Sequence, residues 1–155
     1  MSYRIRGLDP ALFRHLYGLS DDKLRAYGAR RCVVDAMPGF PDRIELRDLA
    51  PGETALLVNF VHQPAATPYR ASHAVFVREG AAAPAEVIGD VPEVMRRRPL
   101  SLRAFDAEHM MVGAELVDGA RADATIRALL ADPAVGYIHA HYAKPGCFAA
   151  RIDRA

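Results

Sequence analysis

The sequence contains little cysteine, almost no net charge and no long apolar run. Only two of its 155 residues are cysteines, which is too few for the disulfide framework of a small secreted domain. Twenty basic and nineteen acidic side chains give a formal charge of +1, so neither nucleic acid nor a membrane surface is an expected partner. No apolar run approaches the roughly eighteen residues of a membrane span, and residues 1–6 lack the apolar core of a signal peptide. We therefore expect a cytoplasmic protein with reduced thiols.

The motifs of several common enzyme classes are also missing. The chain has no glycine-rich phosphate loop, no G-x-S-x-G elbow, no H-E-x-x-H motif and no paired C-x-x-C. The common nucleotide-binding, serine-hydrolase and metalloprotease sites therefore have no support in the sequence.

The order of apolar and turn-forming segments predicts the fold class. Residues 55–61 are apolar apart from Asn59, as expected of an interior strand that is covered on both faces, and residues 72–78 predict a second strand that is nearly as apolar. Residues 120–131 repeat apolar side chains at helical spacing, but strands and helices do not alternate regularly along the chain. The sequence predicts one α+β domain over residues 1–155, with a mostly antiparallel sheet of about eight strands and three or four short flanking helices.

Two shorter elements are predicted nearer the N-terminus. Asp9 and Pro10 are typical of a helix start, and the apolar spacing that follows predicts a helix that ends at Gly18. Residues 43–47 alternate polar and apolar side chains, which predicts a strand with one buried face.

A hairpin at the C-terminus is predicted to carry a polar strip. Side chains along a strand alternate between its two faces, and a three-residue turn at residues 144–146 sets His141 opposite Ala149 and His139 opposite Arg151. The strip then consists of Tyr137, His139, His141, Cys147 and Arg151.

The His-x-His pair in this hairpin is a candidate metal site. Two imidazoles on one face of a strand can bind one ion, and His62 or His73 would supply a third ligand. Imidazole also suits iron, copper and nickel, so the pattern indicates a divalent transition metal without naming it. The alternative is that these are neutral histidines, hydrogen-bonded beneath a sheet.

The loop at residues 62–70 is the second candidate. Its two prolines make it stiff, and Arg70 can grip a carboxylate or phosphate through two donors at once. The alternative is a rigid loop whose polar side chains bond to its own backbone.

Cys147 is a candidate nucleophile. Nearby Lys144 would lower the pKa of its thiol, and His141 would act as the base. The alternative is a small buried apolar side chain. His15 and His109 are expected at the surface.

The stretches NFVHQPAATPYRASHAVFVRE and HAHYAKPGCFAARID, together with PGFPDRIELRDLAPGE and PLSLRAFDAE, resemble a bacterial family of unknown function, DUF1203. The resemblance covers nearly the whole chain. It implies a small single-domain bacterial protein, and it implies no activity because none is assigned to the family.

The leading hypothesis is a pocket for a small anionic ligand, enzymatic or not, between loop 62–73 and hairpin 137–151. Its catalytic candidates are His62, His73, His139 and His141, and its binding candidates are Gln63, Tyr69, Arg70, Lys144 and Arg151. One alternative is a non-catalytic module that forms a homodimer. The other is a metal site, with His139 and His141 as ligands, for hydrolysis or oxidation.

Overall fold

A computed structural model describes residues 1–155, which form two compact units. The first unit comprises Met1–Arg6, Val61–His73 and Glu86–Ala155, and the second comprises Gly7–Phe60 and Ala74–Ala85. The strands are β1 (Tyr3–Arg6), β2 (Arg30–Val33), β3 (Thr54–Gln63), β4 (Ala71–Arg78), β5 (Glu86–Ile88), β6 (Pro99–Phe105), β7 (Met111–Asp118), β8 (Tyr137–Tyr142) and β9 (Phe148–Arg154). The helices are α1 (Asp21–Ala26), α2 (Glu93–Arg96) and α3 (Ala122–Ala131).

The predicted α+β class is confirmed, with nine strands in two antiparallel sheets rather than about eight strands in one. Strand β5 was not predicted, because it has only three residues; it pairs with β1 at the edge of its sheet. None of the helices is long and apolar enough to cross a membrane.

The first unit is built on a six-stranded antiparallel sheet in the order β5-β1-β9-β8-β6-β7. Strand β8 lies inside this sheet, and all six of its residues are buried. Its side chains alternate, so Ile138 and Ala140 face one side while His139 and His141 face the other. A strand buried on both faces requires cover on both sides of the sheet.

Helix α3 covers the apolar face of this sheet. Leu102 on β6 lies opposite Ala140 on β8, and Ile126 and Leu130 of α3 are fully buried. At the edge of the same face, the hydroxyl of buried Tyr3 donates to Asp123 on α3 at 2.6 Å. The imidazoles of β8 therefore lie on the face away from α3.

The second unit contains the three-stranded sheet β2-β3-β4, with a small core of Val34, Leu49 and Ala55. The strand predicted at residues 43–47 is wrong. These residues form bends, because the buried Asp42 carboxylate accepts backbone N–H bonds from Ile44 at 3.2 Å and Glu45 at 2.6 Å. Such local bonds compete with a strand ladder.

The helix predicted to end at Gly18 is two 3-10 turns, Pro10–Leu12 and Arg14–Leu16. Asp9 does cap the first turn, accepting the Ala11 N–H at 2.9 Å. A longer helix does not form because the backbone of Phe13 (φ −123°, ψ −11°) interrupts it between the turns.

The register of the C-terminal hairpin differs from the prediction by one bulge. His139 lies opposite Arg151 as predicted, but His141 lies opposite Phe148 and not Ala149. The turn sets this register, because the Tyr142 N–H donates to the Cys147 carbonyl at 2.9 Å. The extra residue is absorbed as a bulge, which brings the Phe148 ring beside the imidazoles of β8.

The packing of α3 is tested by a matched pair of leucine substitutions. Leu130→Ala should lower the free energy of unfolding by about 3 kcal/mol, because it opens a cavity under the sheet. Leu116→Ala, on a side chain that is 75% exposed, should change it by less than about 0.5 kcal/mol. Denaturant unfolding measures both values, and equal effects would contradict the assigned packing.

Candidate metal and ligand site

Three imidazoles converge on the face of the six-stranded sheet away from α3. His139 and His141 come from β8, and His62 comes from the end of β3. One ring nitrogen of each lies within 4.8 Å of the corresponding nitrogens of the other two. Nitrogens that bind one zinc ion at about 2.0–2.1 Å lie about 3.4 Å apart. The widest of these separations exceeds that spacing by at most about 1.4 Å.

Burial keeps all three imidazoles uncharged. Desolvation is the largest cause that lowers the pKa of His62 to about 4 and the pKa of His139 and His141 to about 3. The positive charge of Arg103 also lowers the pKa of each. At neutral pH each ring therefore has one N–H and one nitrogen lone pair, which is the form that binds a metal.

Hydrogen bonding fixes the tautomer of His141. Its Nδ1 lies 2.9 Å from the carbonyl oxygen of Gly146. A carbonyl can only accept, so Nδ1 must donate, and the lone pair of His141 is therefore on Nε2. Metal-binding histidines commonly donate their second ring N–H to a backbone carbonyl in this way.

His62 and His139 differ from His141 in having a buried nitrogen with no partner. Nδ1 of each is inaccessible to solvent and makes no hydrogen bond. An unpaired buried polar atom lowers the stability of the fold by roughly 1–3 kcal/mol. The two unpaired Nδ1 atoms therefore require an explanation. The interpretation as hydrogen-bonded histidines beneath a sheet fits His141 but not these two.

A cavity of about 210 Å³ adjoins the three-histidine cluster. It is lined by His62, Gln63, Pro64, Ala65, His109, Tyr137, His139 and Arg151. The lining includes residues of both loop 62–73 and hairpin 137–151.

A chain of hydrogen bonds crosses one wall of this cavity. Gln63 Oε1 accepts the Ala65 N–H at 3.3 Å, which orients the amide so that Nε2 donates to the Tyr137 hydroxyl at 2.8 Å. The same hydroxyl lies 2.8 Å from Nδ1 of His109. His109 is exposed, as expected, and it also lines the cavity, which was not predicted. Its φ of 64° belongs to the turn that sets this position.

Two arginines flank His139 on the neighbouring strands. Arg151 on β9 lies opposite it, pairs with Asp153 at 2.8 Å and places its guanidinium 4.0 Å from the Tyr137 ring centre. Arg103 on β6 lies opposite His139 on the other side, and no carboxylate contributes to the shift of its pKa. Its one side-chain hydrogen bond runs from Nε to the Ser101 hydroxyl at 3.3 Å. Burial lowers the pKa of Arg103.

The remaining residues predicted in the hairpin and in β4 lie around the cluster but outside it. His73 is half-buried beside Gly146, and its charge would lower the pKa of His62, but it is not one of the converging three. Cys147 is buried just before β9, and Lys144 is exposed in the turn. Because Nδ1 of His141 is engaged by Gly146, only Nε2 of that ring remains to act as a base toward a thiol.

The loop residues Tyr69 and Arg70 are exposed. The Tyr69 ring meets the edge of Phe105 at a centroid distance of 6.0 Å. Arg70 donates to the Pro64 carbonyl within its own loop, which agrees with the alternative of polar side chains that bond to the loop backbone.

Comparison with known protein families matches residues 39–154 to a family described as "Protein of unknown function (DUF1203)". The chain belongs to the DUF1203 family. Neither the curated proteins nor the solved structures contain a match. The three histidines and Arg103 all fall within the range that matches DUF1203, but the family description assigns them no activity.

The buried neutral imidazoles make the metal-free protein sensitive to acid. Between about pH 6.5 and pH 4 the unfolded chain binds protons that the folded rings reject, so the free energy of unfolding falls as the pH is lowered. Each imidazole adds up to about 1.4 kcal/mol per pH unit to this slope. We expect His139→Asn to remove the contribution of one proton from this slope, which is up to about 1.4 kcal/mol per pH unit. Denaturant unfolding across this pH range, in the presence of a chelator, measures it.

The matched control is His15→Asn, which replaces an exposed histidine of the second unit and should leave the slope unchanged. A slope for His139→Asn equal to that of the parent would show that this imidazole takes up protons in the folded state.

Proposed function

We propose that this protein binds a divalent transition-metal ion through His62, His139 and His141 and presents it to a small molecule in the adjoining cavity. The observation that supports this most strongly is the convergence of three neutral imidazoles, two of which have a buried Nδ1 without a partner. An ion at this point would be bound by the lone pairs of these neutral imidazoles.

A purely structural role explains the cluster less well. Rings buried to fill space are normally apolar, and Phe105 and Phe148 already do this beside His139, at centroid distances of 5.2 Å each. Two unpaired nitrogens cost free energy that phenylalanine would avoid. The histidines are therefore better explained by a ligand that needs their lone pairs.

The donor set favours a catalytic over a structural metal site. Structural zinc sites use four protein ligands, whereas catalytic sites use three and leave one position for water or substrate. The ion would supply a Lewis acid that polarises an oxygen or lowers the pKa of a bound water. Tyr137 and His109 line the adjoining cavity, with Tyr137 hydrogen-bonded to exposed His109. These two residues would carry protons between the cavity and solvent.

The chemistry we favour is metal-assisted hydrolysis or hydration of a small molecule, and oxidation is the alternative if the ion is iron or copper. We also propose the cytoplasm as its location. Neither Cys32 nor Cys147 is in a disulfide, which is compatible with a reducing compartment.

Metal titration of the chelator-treated protein tests this proposal. We expect one zinc or cobalt ion per chain. His62→Asn, His139→Asn and His141→Asn should each weaken binding by at least about 100-fold, because loss of a ligand costs more than loss of an outer partner. Equilibrium dialysis with mass-spectrometric metal analysis gives both stoichiometry and affinity.

The control is His73→Asn, which removes a histidine of the same unit that stands outside the converging three and should bind metal like the parent. Circular dichroism establishes that each variant is folded. A parent protein that binds no ion, or binds it equally well without His139, would contradict the proposal.

A further inference from the structure

We infer that Arg103 anchors a small anion, with a carboxylate or phosphate group, that completes the coordination of the metal bound by the three-histidine cluster. This inference rests on the proposed metal site and adds the chemical class of its ligand.

The sheet register places Arg103 beside the cluster. Arg103 lies directly opposite His139, and Ser101 on the same strand lies opposite His141. Residues opposite each other on antiparallel strands share a face, with Cβ atoms about 5 Å apart. The Arg103 side chain therefore extends from the same face of the six-stranded sheet as the two imidazoles, on the neighbouring strand.

Arg103 differs from its neighbours in having no counter-charge. A cross-strand row runs from Arg103 through His139 and Arg151 to Arg6. Arg151 pairs with Asp153, and Arg6 pairs with Glu86. Arg103 is half-buried and uses one donor, on Ser101, so its Nη groups have no partner within the protein. These groups form the planar fork that binds carboxylate and phosphate through two bonds.

The total charge also favours an anion. Three neutral imidazoles leave the charge of a divalent ion uncompensated, and the guanidinium of Arg103 adds to it. An anion that reaches both would be attracted by both, whereas a neutral ligand would leave them to repel each other. Metal and anion should therefore bind with positive coupling, and the coupling must be reciprocal.

The experiment is a cobalt titration with and without an added anion. The probes are acetate and methyl phosphate, used separately against the chelator-treated protein in a buffer of non-coordinating anions. In the parent, one of the probes should tighten cobalt binding by about tenfold and alter the cobalt absorption spectrum. If acetate alone tightens cobalt binding, the anionic group held by Arg103 is a carboxylate. If methyl phosphate alone tightens it, the group is a phosphate.

Arg103→Met separates the anion anchor from the metal site. Without a probe, this variant should bind cobalt at least as tightly as the parent, because a repelling charge is gone. With the probe, its coupling should fall below about twofold. Arg103→Lys keeps the charge and should retain part of the coupling. Arg6→Met, in the same row but paired with Glu86, should retain all of it.

Three results would overturn the inference. If the parent binds cobalt but neither probe tightens it, the metal site stands and the anion anchor fails. If Arg151→Met abolishes the coupling and Arg103→Met does not, the anion is held elsewhere. If the parent binds no cobalt at all, the proposed function fails and the inference fails with it.

Discussion

Strand β8 is buried along its whole length, so its alternating side chains must fit two different interiors. On one face, Ile138 and Ala140 belong to an apolar core closed by α3. On the other face, His139 and His141 meet His62 in surroundings that keep all three rings uncharged. The burial that stabilises the sheet therefore also keeps a lone pair available on each of the three imidazoles. The candidate function follows from this double burial.

The surroundings of the cluster are as informative as its members. The bulge in the pairing of β8 with β9 brings Phe148 against the imidazoles, where it stacks on His62 at a centroid distance of 5.3 Å. Aromatic walls exclude water, and the Gly146 carbonyl orients one ring. Arg103 supplies charge without a carboxylate to balance it. An apolar wall, an oriented imidazole and an unbalanced charge are the features on which the proposed binding of a charged ligand rests.

The parts of the site that depend on local geometry could be predicted from sequence. The two-residue period placed His139 and His141 on one face, and the short turn placed Arg151 opposite His139. The parts that depend on long-range pairing could not. His62, and not His73, joins His139 and His141 in the cluster. This convergence and the position of Arg103 both depend on elements that meet across at least 30 residues of sequence. Local side-chain bonds also override pattern, as the Asp42 carboxylate does at residues 43–47.

X-ray absorption spectroscopy of the zinc-loaded protein tests the central claim most directly, because it reports the atoms that surround the ion. We expect a shell of three imidazole nitrogens and one further light atom at about 2.0–2.1 Å, with the outer-ring scattering of imidazole. A sulfur shell at about 2.3 Å would place the ion on a cysteine, and a shell of oxygens without imidazole scattering would place it outside the three-histidine cluster. Either result would contradict the assignment of His62, His139 and His141 as the metal ligands.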